Sequence, residues 1–168
     1  MEMLLKGKVI WKFEDNFNAD LIVGSKYIRE RDPELLGEVC LKNYDPDFSK
    51  KVTPGDIMIA GKNFGYGHPH YQGIISLKKA GISVLIAESF YPLWYRIAVF
   101  YAFPVIVCKG ITQTADINQD LEVDIKSGAI KNLSTGESIA AEGMPPIPLE
   151  IVEANGLVSH LKQKNTLS

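Results

Sequence analysis

The chain has 168 residues, 46% of them hydrophobic, which is enough for one ordinary core and too few for two comfortable domains, so one domain over 1–168 is expected. With 18 basic and 20 acidic residues the net charge is −2, which disfavours nucleic acid or a membrane surface as partner, and the longest apolar runs fall far short of the roughly 20 residues that span a bilayer. The start, MEMLLKGKVIW, does not read as a secretory signal, and two distant cysteines supply neither a disulfide framework nor a four-cysteine metal site, so a cytoplasmic location without a metal centre of its own is expected.

From the N-terminus, Lys6 to Phe13 alternates apolar and polar residues around Val9, Trp11 and Phe13, the pattern of a half-buried strand. Glu14 to Asp20 follows as a carboxylate-rich loop. Asp32-Pro33-Glu34 supplies an N-cap, a proline at the first helical position and an early acid, which opens a short helix through Leu41. Asp45-Pro46-Asp47 repeats that signal, and Thr53-Pro54-Gly55-Asp56 is a turn. An apolar strand (Ile57, Met58, Ile59) then runs into a loop punctuated by Gly61, Gly65 and Gly67. A helix from about His70 to Ala80 and a second apolar strand to Ala87 complete a βαβ unit with parallel strands. Pro92 opens an apolar helix, Leu93 to Tyr101, and Pro104 starts another buried strand. Leu121 to Ile125, Ala129 to Leu133 and Glu137 to Ala141 read as a meander that turns at Ser127-Gly128 and Thr135-Gly136. Met144 to Pro148 reads as a stiff connector to two helical segments, Leu149 to Glu153 and Gly156 to Lys162. The fold class is therefore α/β, a βαβ parallel core joined to an antiparallel β meander.

The glycine loop is the natural place for a site. Unpaired N–H groups and the positive dipole end of the following helix lie where His68-Pro69-His70 stand, which makes a seat for a carboxylate of a small molecule. His68 and His70 also have His-x-His metal-ligand spacing, without a third histidine or cysteine nearby, and a purely structural loop is the remaining alternative. Cys40 and Cys108 fit buried, inert thiols.

Together these pieces resemble the small subunit of 3-isopropylmalate dehydratase, an enzyme of leucine biosynthesis, and its homoaconitase relatives, the swivelling β/β/α domain of the aconitase superfamily. The resemblance covers nearly the whole chain. Its anchors are GKVIWKFEDNFNAD (7–20), KYIRERDPELLGEVCLKNYDPDFSKKVTPGDIMIAGKNFGYG (26–67), AGISVLIAESF (80–90), YR (95–96), FPVIVC (103–108), LEVDIKSGAIKNLSTGE (121–137) and LEIVEANGLVSHLK (149–162). It implies a small subunit, inactive alone, that closes over a large subunit holding a 4Fe-4S cluster, in a heteromer. It also implies a hydro-lyase reaction, in which water is removed from a 2-hydroxy di- or tricarboxylate and re-added with the hydroxyl moved to the neighbouring carbon.

The family loop Gly-Cys-Gly-Ser-Ser-Arg-Glu, whose first serine is the base and whose arginine binds substrate carboxylate, is rewritten here as Gly65, Tyr66, Gly67, His68, Pro69, His70 and Tyr71. By this resemblance Gly65, Tyr66 and Gly67 frame the substrate, His68 is the candidate base, and His70 takes the arginine position without a guanidinium's bidentate fork. Asp20 keeps the last carboxylate of the family's Asp-Thr-Asp signature and can orient a loop histidine, contact substrate, or serve only the loop. Arg29 matches an arginine of the isopropylmalate type that reads the distal substrate group, or belongs to a solvated charge cluster with Arg31 and its neighbours. The aromatic run Phe90 to Phe103 reads first as core or subunit interface and second as a pocket wall. Simultaneous loss of serine and arginine also allows a non-catalytic, carboxylate-binding or regulatory paralogue.

Overall fold

In this computed structural model, which describes residues 3–166, the first strand organises everything that follows. β1 (Leu4–Phe13) is ten residues long and takes part in two kinds of pairing. Its second half runs parallel to β2 (Ile57–Ala60), with Val9 opposite Ile57 and Phe13 opposite Ala60, while its first half runs antiparallel to β5 (Asp120–Asp124). The register shifts between Val9 and Trp11, where β1 passes along the parallel partner. On the parallel side β3 (Val84–Ala87) pairs with β2 and β4 (Val105–Val107) with β3. On the other side β6 (Ala129–Asn132) and β7 (Ser138–Ala140) continue the meander, so the seven strands lie in the order β4-β3-β2-β1-β5-β6-β7. The expected class, α/β with a parallel core and an antiparallel meander, is what the structure shows.

The helices are α1 (Pro33–Glu38), α2 (Phe48–Lys51), α3 (Tyr71–Ala80), α4 (Pro92–Phe100), α5 (Ile111–Thr114), α6 (Pro146–Glu153) and α7 (Leu157–Thr166). None of the described helices is long and apolar enough to cross a membrane. β2 and β3 are buried at every position because helices cover them, and their side chains join one hydrophobic cluster with Trp94, Phe64 and Phe103. The cluster extends under the meander through Leu121, Val123 and Ile130. α1 and α3 are tied by the Ser76 hydroxyl, which donates to the Leu36 carbonyl at 2.7 Å.

Two sequence expectations are corrected. α1 does not reach Leu41: it stops at Glu38, and Leu41 adopts φ +50 so that its N–H can donate to the Ile22 carbonyl at 2.7 Å. Burial of Val39, Cys40 and Leu41 produced the helical-looking apolar run, but a tertiary hydrogen bond ended the helix. The proline-rich connector is in fact the start of α6, since Pro146 and Pro148 both fall in its first turn, where missing N–H groups are harmless. Helix α5 and the short 3-10 turns at Ala19–Ile22 and Ser25–Tyr27 lie outside the elements expected from sequence.

Candidate active site

β2 delivers the chain into the glycine loop at the carboxyl end of a parallel strand, the position at which open α/β sheets bind ligands. The loop is stitched on both sides. Gly65 N–H donates to the Phe17 carbonyl at 3.0 Å, Phe64 N–H to the Ser89 carbonyl at 3.0 Å, and Asn63 N–H to the Ser89 hydroxyl at 2.8 Å. Phe64 is fully buried, stacked on Phe17 and edge-on to Phe90 and Trp94. Gly65 has φ +89 and lies so close to Trp94 that a Cβ would stand 2.3 Å from the indole. Gly67, at φ +104, passes 3.2 Å from the Asn18 side chain. Both positions favour glycine for conformation, and Gly65 needs it for space as well. Tyr66 between them is exposed, with its ring edge-on to Tyr91.

Asp20 is brought to this loop from the turn Ala19–Ile22, which Asn18 caps by accepting the Asp20 N–H at 3.0 Å. Its carboxylate binds His70 three times. Oδ1 accepts the His70 backbone N–H at 3.1 Å, and the ring Nδ1 lies 3.0 Å from Oδ1 and 3.1 Å from Oδ2. A carboxylate only accepts, so Nδ1 carries the proton shared with Asp20, and Nε2 makes no hydrogen bond among the described residues. His70 is the N-cap residue of α3 but makes no side-chain cap, because its ring is turned to Asp20. His68 is exposed and makes no hydrogen bond or ion pair among the described residues.

Beside His70 opens a cleft of about 700 Å³. One wall is Ile28, Arg29 and Arg31 from the segment before α1; the floor is Pro69, His70, Tyr71 and Gln72; the far wall is Arg96, Ile97, Phe100 and Tyr101 of α4 and its end. The Tyr71 and Tyr101 rings stack at 5.3 Å. Burial pushes the Tyr101 hydroxyl up, and Tyr71 adds to the effect. Glu30 binds backbone: Asp32 N–H and Arg31 N–H donate to it at 2.9 and 2.6 Å and hold its carboxyl below the usual carboxylate range. No guanidinium of Arg29, Arg31 or Arg96 has a carboxylate partner among the described residues.

Of the residues singled out from sequence, the structure gathers Arg29 and His70 on the cleft, holds Asp20 behind His70, and leaves His68 outside the lining. Sequence reading passed over Gln72, took Arg31 only as part of a charge cluster, and gave Tyr71 and Arg96 no place in a cleft. Arg96 and Phe100, like Ile97 and Tyr101, are four residues apart, the spacing that puts pairs on one helix face, and this was the available signal. Of the aromatic run, Trp94 and Phe103 are core while Phe100 and Tyr101 are wall. Both thiols are buried and pushed up, Cys40 to about 12 and Cys108 to about 11, by desolvation. No three His, Cys, Asp or Glu side chains converge to hold a metal among the described residues.

No family model matches the chain. It is 44% identical over 164 residues to the isopropylmalate/citramalate isomerase small subunit of Methanocaldococcus jannaschii, spanning 98% of this chain and 97% of that protein. It is 39% identical over 166 residues to the 3-isopropylmalate dehydratase small subunit of Ruminiclostridium cellulolyticum, 99% of this chain and all of that one. The chain belongs to the 3-isopropylmalate dehydratase small-subunit family. The crystal structure of 3-isopropylmalate dehydratase (leuD) from M. jannaschii superposes with a TM-score of 0.91 at 32% identity, over 98% of this chain and 97% of that one.

Proposed function

We propose that this small subunit completes a two-chain iron–sulfur hydro-lyase acting on a 2-hydroxy di- or tricarboxylate; its relatives are small subunits of 3-isopropylmalate dehydratase and of isopropylmalate/citramalate isomerase, which supports the reading. The observation that carries the reading is the cleft: unpaired guanidiniums, an imidazole oriented by a carboxylate and an apolar wall meet at a helix start in a chain of this family. Cys40 and Cys108 are both buried and no metal-holding group forms among the described residues, so in this reading a 4Fe-4S group would be held by the large subunit and would supply a Lewis acid for the hydroxyl.

In this reading His68 takes the proton from the carbon beside a carboxylate. The electron pair of the C–H bond forms the double bond and the C–O pair leaves with the hydroxyl; reversal adds water at the neighbouring carbon. His68 stands exposed in the isolated chain, the position of a base whose surroundings are completed when a second subunit closes over it. The Asp20–His70 pair latches the loop, Gly65, Tyr66 and Gly67 give it its shape, and Arg29 reads the distal group of the substrate.

The test is anaerobic co-expression with cluster-bearing large subunits, followed by absorbance assays for unsaturated acids over a panel of hydroxy acids. The chain alone is expected to be inactive and the complex active, with His68→Ala lowering turnover about 100-fold or more. Unchanged turnover in that variant removes the role given to His68. A cluster-loaded complex that turns over nothing supports a non-catalytic carboxylate-binding paralogue instead.

A further inference from the structure

We propose that Arg31 and Arg96 form the carboxylate subsite of this chain, for a diacid whose apolar substituent lies against Ile97, Phe100 and Tyr101. The assignment rests on the reading of the Gly65–His70 loop as an active-site loop. A carboxylate bound beside that loop needs a cation able to hold it.

His70 is poorly placed to supply it. Its ring Nδ1 and its backbone N–H are both committed to Asp20, whose negative charge lies within 3.1 Å and offsets any charge on the imidazole. The uncompensated cations of the cleft are guanidiniums from two other segments, Arg29 and Arg31 before α1 and Arg96 on α4. Glu30, the carboxylate next to both Arg29 and Arg31, is occupied by the N–H groups of Arg31 and Asp32 and pairs with neither side chain. A guanidinium grips a carboxylate through two parallel N–H bonds, a geometry that neither imidazole nor ammonium reproduces.

A second, independent observation comes from Gln72. Its side chain is only 4% exposed and its Nε2 donates to the Glu30 carbonyl at 3.1 Å, but Oε1 has no partner. A buried acceptor without a donor is costly, and Gln72 lines the same cleft, so a small side-chain shift would let a ligand hydroxyl complete it. The wall opposite offers aliphatic and aromatic carbon. Guanidiniums on two segments, with apolar surface beside Arg96 on α4, favour a ligand that carries both carboxylate charge and a hydrocarbon branch.

Binding is tested on the full chain by calorimetry or NMR titration, with 2-isopropylmalate, succinate and isovalerate as probes, and kinetics on the complex with its large subunit. 2-Isopropylmalate is expected to bind best. Arg31→Gln and Arg96→Gln should each weaken it about tenfold, with Lys at either position restoring only part. In the complex the same variants should raise KM with kcat within about twofold. Both side chains are exposed, so folding should be unaffected. Unchanged affinity and KM in both variants overturns the subsite, as does a wild-type chain and complex that bind none of the diacids. So does a loss of large-subunit affinity with KM unaltered, which places the guanidiniums on the partner. A wild-type complex that binds diacids but converts none overturns the hydro-lyase reading and leaves the subsite decided by the binding data.

Discussion

In the parallel half of the sheet β2 and β3 are buried at every residue, whereas in the antiparallel half β6 alternates exposed and buried positions and β7 buries none of its three fully. The two halves share β1, but the parallel strands are joined through helices and the antiparallel ones through tight turns, so the covering differs. Helices seal the parallel half, and the segments that line the cleft all come from its connections: the approach to α1, the loop before α3, and α4. A site that must hold several side chains in place is built on the half whose scaffold cannot shift without opening a packed core. The meander, with one face in water, closes the other edge of the sheet and contributes no residue to the cleft.

Truncation in the two halves should therefore differ most. Met58→Ala, at a fully buried position of β2, is expected to cost about 2–5 kcal/mol, and Ile139→Ala on β7 less than about 1 kcal/mol, by urea denaturation. Equal losses break the contrast. Next in size is Gly65→Ala. A methyl there meets the Trp94 indole and must sit at φ +89, so we expect about 2–4 kcal/mol of destabilisation. Gly136→Ala in the meander has a similar φ of +82 but open space around it, and should lose only the conformational part, about 1 kcal/mol. The difference between these two variants isolates the packing of the site loop from backbone strain.

The same contrast explains what could be seen in the sequence. Continuous apolar runs at Ile57 and Val84, alternation at Leu121 and Ala129, and the Asp32-Pro33 cap are local signals, and they located the strands and the start of α1. The end of α1 was hidden because the Leu41 N–H bonds to Ile22, a partner far away in the chain that no local rule names. The loop glycines were legible as a site, since glycine reports backbone demand directly. Asp20 was legible as a candidate, but that its partner is His70 rather than His68 depends on a contact across 50 residues. Arg31 and Arg96 were hidden for another reason: an exposed arginine reads as a solvated charge until its neighbours are known to carry no carboxylate for it.

The smallest effect concerns acid. At the C-terminal end of β3, burial opposes ionisation of Glu88, but Gly110 N–H at 2.9 Å and the Thr112 hydroxyl at 2.7 Å outweigh it and hold the carboxyl below its ordinary 4.5. In the meander Asp124 is held below its ordinary 3.8 by Ser127 and by Lys126 N–H at the turn. Both carboxylates are depressed in the folded chain, so each contributes stability that is present above its ordinary value and is lost as pH falls through the depressed one. Both are largely solvated, and screening limits each to less than about 1 kcal/mol. Stability measured between pH 7 and 3 should fall at the acid end, with a smaller fall in Glu88→Gln and in Asp124→Asn than in the parent chain. Because Glu88 ties the end of β3 to α5, beside the strands that carry the cleft, its loss should also speed amide exchange at Gly110 and Thr112. Loss of Asp124 should do so only at the 126–128 turn. Exchange that spreads equally through both halves in either variant would mean that the sheet responds as one unit and that its covered half gives the site no separate rigidity.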